Sequence, residues 1–290
     1  MRQPEYLPDF SSAFKQHQDE FDAVLFDIDG TLAIGSTPLP GVLDFLQYLS
    51  RQDIPFLLLT NDAGASHEQK AGILQRGGLP VTPHQILSAG DGLKWWAKQN
   101  YRGGLFFQYG SFGTPSYVEN AGIEFTKDPE RIRECCGVLG GEEIFDWRIS
   151  LEAAFNLLLK HPEYPYIIGN PDPYWVSNRK AGCGIGAGGL ARMVQTILLS
   201  AGVDIQPVYL GKPYEPVYQS VIPYLRESFS GKSFDDPGRI IMVGDMLFSD
   251  IAGARKNNFR SALVMTGATT PDVLSQTAES DLPEWICQRI

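Results

Sequence analysis

The sequence contains no run approaching the ~18 consecutive apolar residues that a membrane-crossing helix needs. Residues 1–20 carry Arg2, Glu5, Asp9, Lys15, Asp19 and Glu20 and no apolar core, so no secretory leader is expected. CxxC spacing is also missing. The four cysteines are Cys135, Cys136, Cys183 and Cys287, and the adjacent pair has poor geometry for a bridge, so free thiols in a reducing compartment are expected. His17, His67, His84 and His161 show no paired ligand spacing, which disfavours zinc. Positive charge is in short supply, with 24 Lys and Arg against 34 Asp and Glu and a net charge of −10. Nucleic acid and anionic membrane both require a basic face, so neither is expected as a partner. A small anionic substrate needs only a local positive field and stays open. The expectation is a soluble, cytoplasmic protein.

What is present is globular. Hydrophobic residues make up 43% and charged residues 20%, which excludes a disordered or collagen-like chain. At roughly 150 residues per domain, 290 residues suggest two domains. Short apolar runs alternate with helical patterns, the signature of βαβ units and an α/β fold with a doubly wound, mainly parallel sheet. Residues 23–28 (AVLFDI) and 54–59 (IPFLLL) are too continuously apolar for one-faced strands and read as buried central ones. Ser66-His67-Glu68-Gln69 has capping-box spacing and opens a helix to Arg76, and Ser88 similarly opens one through Lys98. Strands follow at 239–243 (RIIMV) and 261–265 (SALVM), with a helix near 250–257 between them. The middle reads as a separate unit, with strands at 105–109, 136–139 and 166–169 and a helix at 151–160. A Gly-rich stretch at 182–189 then leads into a helix through Ser200. The predicted organisation is 1–102 (first part of the core, with an extension at 1–20), 103–204 (inserted domain) and 205–290 (second part of the core).

Polar groups gather at the carboxyl ends of the strands, where open α/β sheets place their ligands. Asp27-Ile28-Asp29-Gly30-Thr31 ends the first strand, Thr60-Asn61 the second, and Gly244-Asp245 with Asp250 follows RIIMV. Taken singly, each has a plain structural reading. DxDGT is an Asp-Gly turn with a helix cap, Thr60 and Asp250 are caps, and Lys212 is a surface lysine. Together they supply phosphoryl-transfer chemistry. One carboxylate attacks phosphorus, a second moves a proton, and a hydroxyl and an ammonium hold phosphate oxygens. Clustered carboxylates favour a hard ion such as Mg²⁺.

These motifs resemble the haloacid dehalogenase superfamily of phosphatases. Asp27-Ile-Asp29-Gly-Thr31, Thr60-Asn61, Lys212 and Gly244-Asp245-Met-Leu-Phe-Ser-Asp250 occur in the family's order, the last matching G-D-x-x-x-x-D. The insertion between Thr60 and Lys212, with Asn170-Pro171-Asp172 and Ala187-Gly188 inside it, resembles the large α/β cap of the NagD-like, or 4-nitrophenylphosphatase-like, branch. Lys212-Pro213 and Thr266-Gly-Ala-Thr-Thr-Pro271 fit that branch too, and the resemblance covers roughly 21–275. It implies a Rossmann-like core with an inserted cap. It also implies a Mg²⁺-dependent phosphatase acting on small phosphorylated metabolites through an aspartyl-phosphate.

By the resemblance, Asp27 is the nucleophile and a metal ligand. Asp29 is the general acid/base, with its backbone carbonyl on the metal. Thr60 and the backbone N–H of Asn61 bind phosphate, and Lys212 neutralises charge between Asp27 and the phosphoryl group. Asp245 is a further metal ligand, with Asp250 behind it or holding a metal-bound water. A homo-oligomer formed through the cap also fits the resemblance. Candidate specificity residues in the cap are Asn170, Asp172, Tyr174, Trp175, Asn178 and Arg179.

Some features depart from the pattern or compete with it. Val138-Leu-Gly140-Gly141-Glu142 lacks the aspartate expected after the glycine, and 174–180 matches no single specificity, so nucleotide, sugar, glycerol and pyridoxal phosphates stay open. Gly184-Ile-Gly186-Ala-Gly188-Gly189 fits the dinucleotide fingerprint but follows a loop rather than a strand, and is read as helix–strand packing. Trp95-Trp96 reads as core or interdomain packing, and Arg131, Arg133 and Glu134 as solvated surface. The rival functions are a phosphotransferase or phosphomutase on the same fold, and a non-catalytic binding protein that kept it.

Overall fold

Ala23–Phe26 is an unbroken apolar run, and a strand apolar on both faces has to be covered on both. The computed structural model describes residues 4–142, 145–177 and 182–290. In it, Ala23–Phe26 is fully buried near the middle of a seven-stranded sheet. The chain divides into two compact units. One is Met1–Thr60 with Lys70–Leu87 and Tyr218–Ile290, and the other is Asn61–Gln69 with Ser88–Val217.

In the first unit the strand order is Glu5–Leu7, Trp285–Cys287, Arg260–Val264, Ile240–Gly244, Ala23–Phe26, Phe56–Thr60, Ile86–Ser88. Every pairing from Glu5–Leu7 through Phe56–Thr60 is parallel. Parallel strands need crossover connections, and helix Val42–Arg51 supplies one, burying Val42, Phe45, Leu46 and Leu49. From Ala23–Phe26 the next strand pairs on one side, and the returning Ile240–Gly244 pairs on the other. The carboxyl ends of Ala23–Phe26 and Ile240–Gly244 therefore flank a topological switch point, the usual ligand position in such sheets.

Residues 5–17, which lie outside the family resemblance, belong to this core. Glu5–Leu7 pairs with Trp285–Cys287, and helix Phe10–His17 buries Phe10, Ala13 and Phe14. Asp9 caps that helix, accepting from the Ser12 N–H at 2.7 Å.

The second unit holds a five-stranded sheet in the order Val208–Tyr209, Tyr166–Ile168, Cys135–Gly140, Leu105–Tyr109, Phe125–Thr126, all parallel. Helices Trp147–Lys160 and Ala187–Ser200 cover one face through Leu158, Ala191 and Val194, packed with Phe107, Val138 and Ile168. On the other, Trp96 meets Phe106 edge-on with centroids 6.3 Å apart, so the tryptophan pair is packing.

The stretch after Tyr166–Ile168 is more ordered than the sequence suggests. Tyr174–Ser177 pairs antiparallel with Gly182–Ile185. The Gly-rich tract therefore does start on a strand, contrary to the sequence reading. That strand belongs to a two-stranded antiparallel ribbon, not to the parallel βαβ unit of a dinucleotide site. A Cβ on Gly186 would come 2.3 Å from the Asp172 carbonyl oxygen, and one on Gly188 would come 2.1 Å from that of Pro171. These glycines let the start of Ala187–Ser200 approach the Asn170-Pro171-Asp172 turn. All four cysteines are free thiols.

Candidate active site

In the first unit, Asp27 leaves the end of Ala23–Phe26 with its N–H donating to the Val243 carbonyl at 2.9 Å. Ladder pairing of Phe26 with Val243 sets the residues that follow side by side. Gly30 takes φ 84°, a conformation costly for any residue with a Cβ, and the turn closes with Gly30 N–H on Ala33 O at 2.8 Å. Asp27 is half-buried, Ile28 buried and Asp29 exposed. Thr60, the last residue of Phe56–Thr60, is buried.

Asp245 follows Ile240–Gly244 and is buried, its Oδ2 accepting from the Ala268 N–H at 2.5 Å. A Cβ on Gly30 would fall 2.6 Å from that oxygen, and one on Gly267 would fall 2.0 Å from it. Two backbone segments thus close around one carboxylate because neither carries a side chain there. Asp250 is fully buried in the π-helical turn Leu247–Ile251, a distortion of the kind common at functional sites. Its Oδ2 accepts from the Met246 N–H at 3.1 Å and its Oδ1 from the Ser249 hydroxyl at 3.3 Å.

Asp27, Asp245 and Asp250 each offer an oxygen, and these oxygens lie within 4.8 Å of one another. Like charges this close repel unless a cation is shared between them. The donor set is all carboxylate oxygen, with no thiolate or imidazole, which fits a hard divalent metal ion. The triad can hold such an ion.

The second unit carries its own polar cluster. Asn61 and Lys212 are both buried. The Lys212 N–H donates to Asn61 Oδ1 at 2.7 Å, and Asn61 Nδ2 donates to the Lys212 carbonyl at 3.2 Å. Asn61 Nδ2 also lies 3.2 Å from both carboxylate oxygens of Asp172. A Cβ on Gly211 would sit 2.5 Å from Asn61 Oδ1, so the segment before Lys212 closes on the amide only as glycine.

The residues proposed for specificity from sequence differ in placement. Asn170 is buried, and its Oδ1 accepts from the Asp172 N–H at 2.8 Å, so both residues are engaged inside the unit. Tyr174 and Trp175 are exposed on the hairpin, Trp175 facing Gly184. Asn178 and Arg179 lie outside the described residues. In sequence, Glu142 stands out only as a departure where aspartate is expected. Its Oε1 accepts from Asn170 Nδ2 at 2.5 Å, and burial, with Asp62 adding negative charge, pushes its carboxyl up to about 7.

Two family models match the chain, haloacid dehalogenase-like hydrolase over residues 24–124 and HAD-hydrolase-like over 209–290. The chain belongs to the haloacid dehalogenase-like hydrolases. Its fold is that of the family's NagD-like members, as three similarities indicate. It is 24% identical to the 4-nitrophenylphosphatase of Schizosaccharomyces pombe over 96% of this chain and 94% of that one. A "possible sugar phosphatase" of the superfamily from Cytophaga hutchinsonii matches with a TM-score of 0.78 and 27% identity over 98% of both chains. NagD from E. coli, at 20% identity, shares the fold with a TM-score of 0.77 over 93% of this chain and 96% of its own.

Proposed function

We propose that this protein is a Mg²⁺-dependent phosphatase that hydrolyses small-molecule phosphate monoesters through an aspartyl-phosphate on Asp27. The observation that carries the reading is the meeting of Asp27, Asp245 and Asp250 at the carboxyl ends of two adjacent parallel strands. The metal would be held by Asp27, Asp245 and the Asp29 backbone carbonyl, with Asp250 as ligand or behind a bound water. When bound, Mg²⁺ supplies charge neutralisation for the phosphoryl group and for the nucleophilic carboxylate.

In the first step a carboxylate oxygen of Asp27 bonds to phosphorus as the ester P–O bond breaks, and Asp29 in its acid form gives its proton to the leaving oxygen. In the second, Asp29 as carboxylate takes a proton from water while the water oxygen bonds to phosphorus. The bond from phosphorus to Asp27 breaks and the carboxylate is restored. Exposure of Asp29 suits a group that must reach both the leaving alcohol and water. Thr60, the Asn61 N–H and Lys212 bind phosphate oxygens, Lys212 neutralising charge.

In this reading residues 103–204 are a cap inserted into a core formed by 1–102 and 205–290. The cap recognises the leaving group through Tyr174 and Trp175, with Asn178 and Arg179, while Asn170 and Asp172 hold the turn behind them. Exposed aromatic rings offer apolar area at little entropic cost. The protein works in the cytoplasm, and dimers through the cap are compatible with the scheme.

The test is phosphate release from a panel of metabolite phosphates and 4-nitrophenyl phosphate in Mg²⁺. Asp27→Asn is expected to abolish turnover and any covalent phosphate. Asp29→Asn is expected to slow turnover by roughly 10²–10⁴, the usual worth of a positioned acid/base. Near-normal rates in Asp27→Asn would refute the nucleophile.

A further inference from the structure

Glu142 follows the Gly140-Gly141 pair at the end of strand Cys135–Gly140, and its carbonyl accepts from the Ser111 N–H at 2.7 Å. Its Oε1 receives Asn170 Nδ2 at 2.5 Å and, at 3.4 Å, the N–H of Ala187, which opens helix Ala187–Ser200. That helix has glycine at its N-cap and makes no side-chain cap bond there, so Glu142 supplies an acceptor from a different element. Asn170 Oδ1 in turn receives the Asp172 N–H, the Asp172 carboxylate receives Asn61 Nδ2, and Asn61 Oδ1 receives the Lys212 N–H. One continuous chain of hydrogen bonds runs inside the second unit from Glu142 to the backbone of Lys212.

We propose that Glu142 is a positioning residue for Asn61 and Lys212, acting through the side chain of Asn170 and through Asp172. The inference rests on the reading of Asn61 and Lys212 as phosphate-binding groups. Its physical basis is the polarity of an amide, which has donors at one end and an acceptor at the other. A carboxylate only accepts, so ionised Glu142 holds Asn170 with Nδ2 toward itself and Oδ1 toward the Asp172 N–H. Turned over, Asn170 would set its oxygen against the carboxylate and its N–H groups against the Asp172 N–H. Those are two mismatches in a region where unmet polar groups are costly. Protonated Glu142 can donate to the oxygen of the turned amide, which removes one of the two mismatches and weakens the preference for the observed orientation.

The state of Glu142 changes near neutrality. Burial and the negative charge of Asp62, with Asp172 adding to it, push its carboxyl up to about 7, against the lowering pull of the Ala187 N–H and Asn170. Lowering the pH through 7 is therefore expected to loosen the chain that ends on Lys212.

The experiment compares wild type, Glu142→Ala and Glu142→Gln in Mg²⁺ with 4-nitrophenyl phosphate, and follows hydrogen exchange of the Lys212 amide in the same proteins. At pH 8, Glu142→Ala is expected to raise KM about tenfold with a smaller change in kcat, the effect of weakening one hydrogen bond. Glu142→Gln, which can donate as protonated Glu142 does, should show already at pH 8 the higher KM that wild type reaches at pH 6. Between pH 8 and 6 the KM of wild type should climb, while the Gln protein lacks that component. Lys212 amide exchange should speed by about tenfold in Glu142→Ala, without equal acceleration across the rest of the unit. Unchanged Lys212 exchange overturns the proposal, as does uniform acceleration everywhere, which marks general destabilisation. Should Glu142→Ala fail to fold, a Glu142→Gln profile identical to wild type across the pH range overturns it equally. Absence of phosphate release by wild type would defeat the phosphatase reading instead, and the exchange data would then decide the coupling alone.

Discussion

Asn61 and Lys212, 151 positions apart in the chain, clasp each other through a single side-chain amide. The Lys212 N–H donates to Asn61 Oδ1 at 2.7 Å, and Asn61 Nδ2 returns a bond to the Lys212 carbonyl at 3.2 Å. Only a group with a donor and an acceptor on one carbon does both. Asn61→Asp replaces the donor with an oxygen that faces the Lys212 carbonyl and the Asp172 carboxylate. The substitution is expected to lower unfolding stability by roughly 1–3 kcal/mol and to reduce phosphate release more than tenfold. Denaturant titration and a phosphate assay at one pH check both, and a variant as stable as wild type would show that the clasp holds nothing.

The carboxylate triad predicts a metal dependence with a readout besides rate. EDTA is expected to abolish phosphate release and Mg²⁺ to restore it. Mg²⁺ should also raise the melting temperature of wild type, because an ion bound only by the folded state stabilises it. In Asp245→Asn that rise should shrink or vanish. Full activity in EDTA would count against the site as assigned.

Glu142 predicts a pH dependence of stability with a definite sign. Its carboxyl moves from an ordinary 4.5 in the unfolded chain up to about 7 in the fold, chiefly through burial. The unfolded chain therefore ionises first as pH rises. The group's contribution to stability is complete below the lower value and is lost as pH climbs through about 7. The loss is on the order of 3 kcal/mol. Subtracting the unfolding free energy of Glu142→Gln from that of wild type should isolate a decline confined to this window. A flat difference would mean that the carboxyl titrates as an exposed one does.

Phe14 predicts that the amino-terminal helix is part of the core. The ring is fully buried, stacking on Phe21 with centroids 5.4 Å apart and meeting Phe45 edge-on at 5.7 Å. Phe14→Ala is expected to cost about 3–5 kcal/mol, as other large aromatic deletions do. Equilibrium unfolding measures it, and a cost below about 1 kcal/mol would place the helix outside the folding unit.

Much of this was legible in the chain itself. Residues 23–28 and 54–59 read as buried strands because parallel strands covered on both faces lose their alternation. Three features escaped that reading. Glu5–Leu7 and Trp285–Cys287 are three residues each, too short to establish a period. Phe10 and Phe14 form a helical pair that becomes a core only against Phe26, Phe45 and Trp285. The ribbon Tyr174–Ser177 with Gly182–Ile185 hid because its second strand is half glycine, which reads as a loop.

The amino-acid sequence by itself determined which groups sit at the ends of buried strands: Asp27 and Asp29, Thr60, and Asp245 with Asp250. Local composition is enough for that, since an apolar run has to stop where a carboxylate begins. Tertiary structure alone decided which of those groups meet. The pairing of Phe26 with Val243 brings Asp27 beside Asp245, and the π-helical turn Leu247–Ile251 carries the buried Asp250 to them. Register across a parallel sheet is a long-range property that no local period encodes. The same holds for Glu142, whose acid strength and partners come from Asp62, Asn170, Asp172 and Ala187, residues brought around it only by the fold.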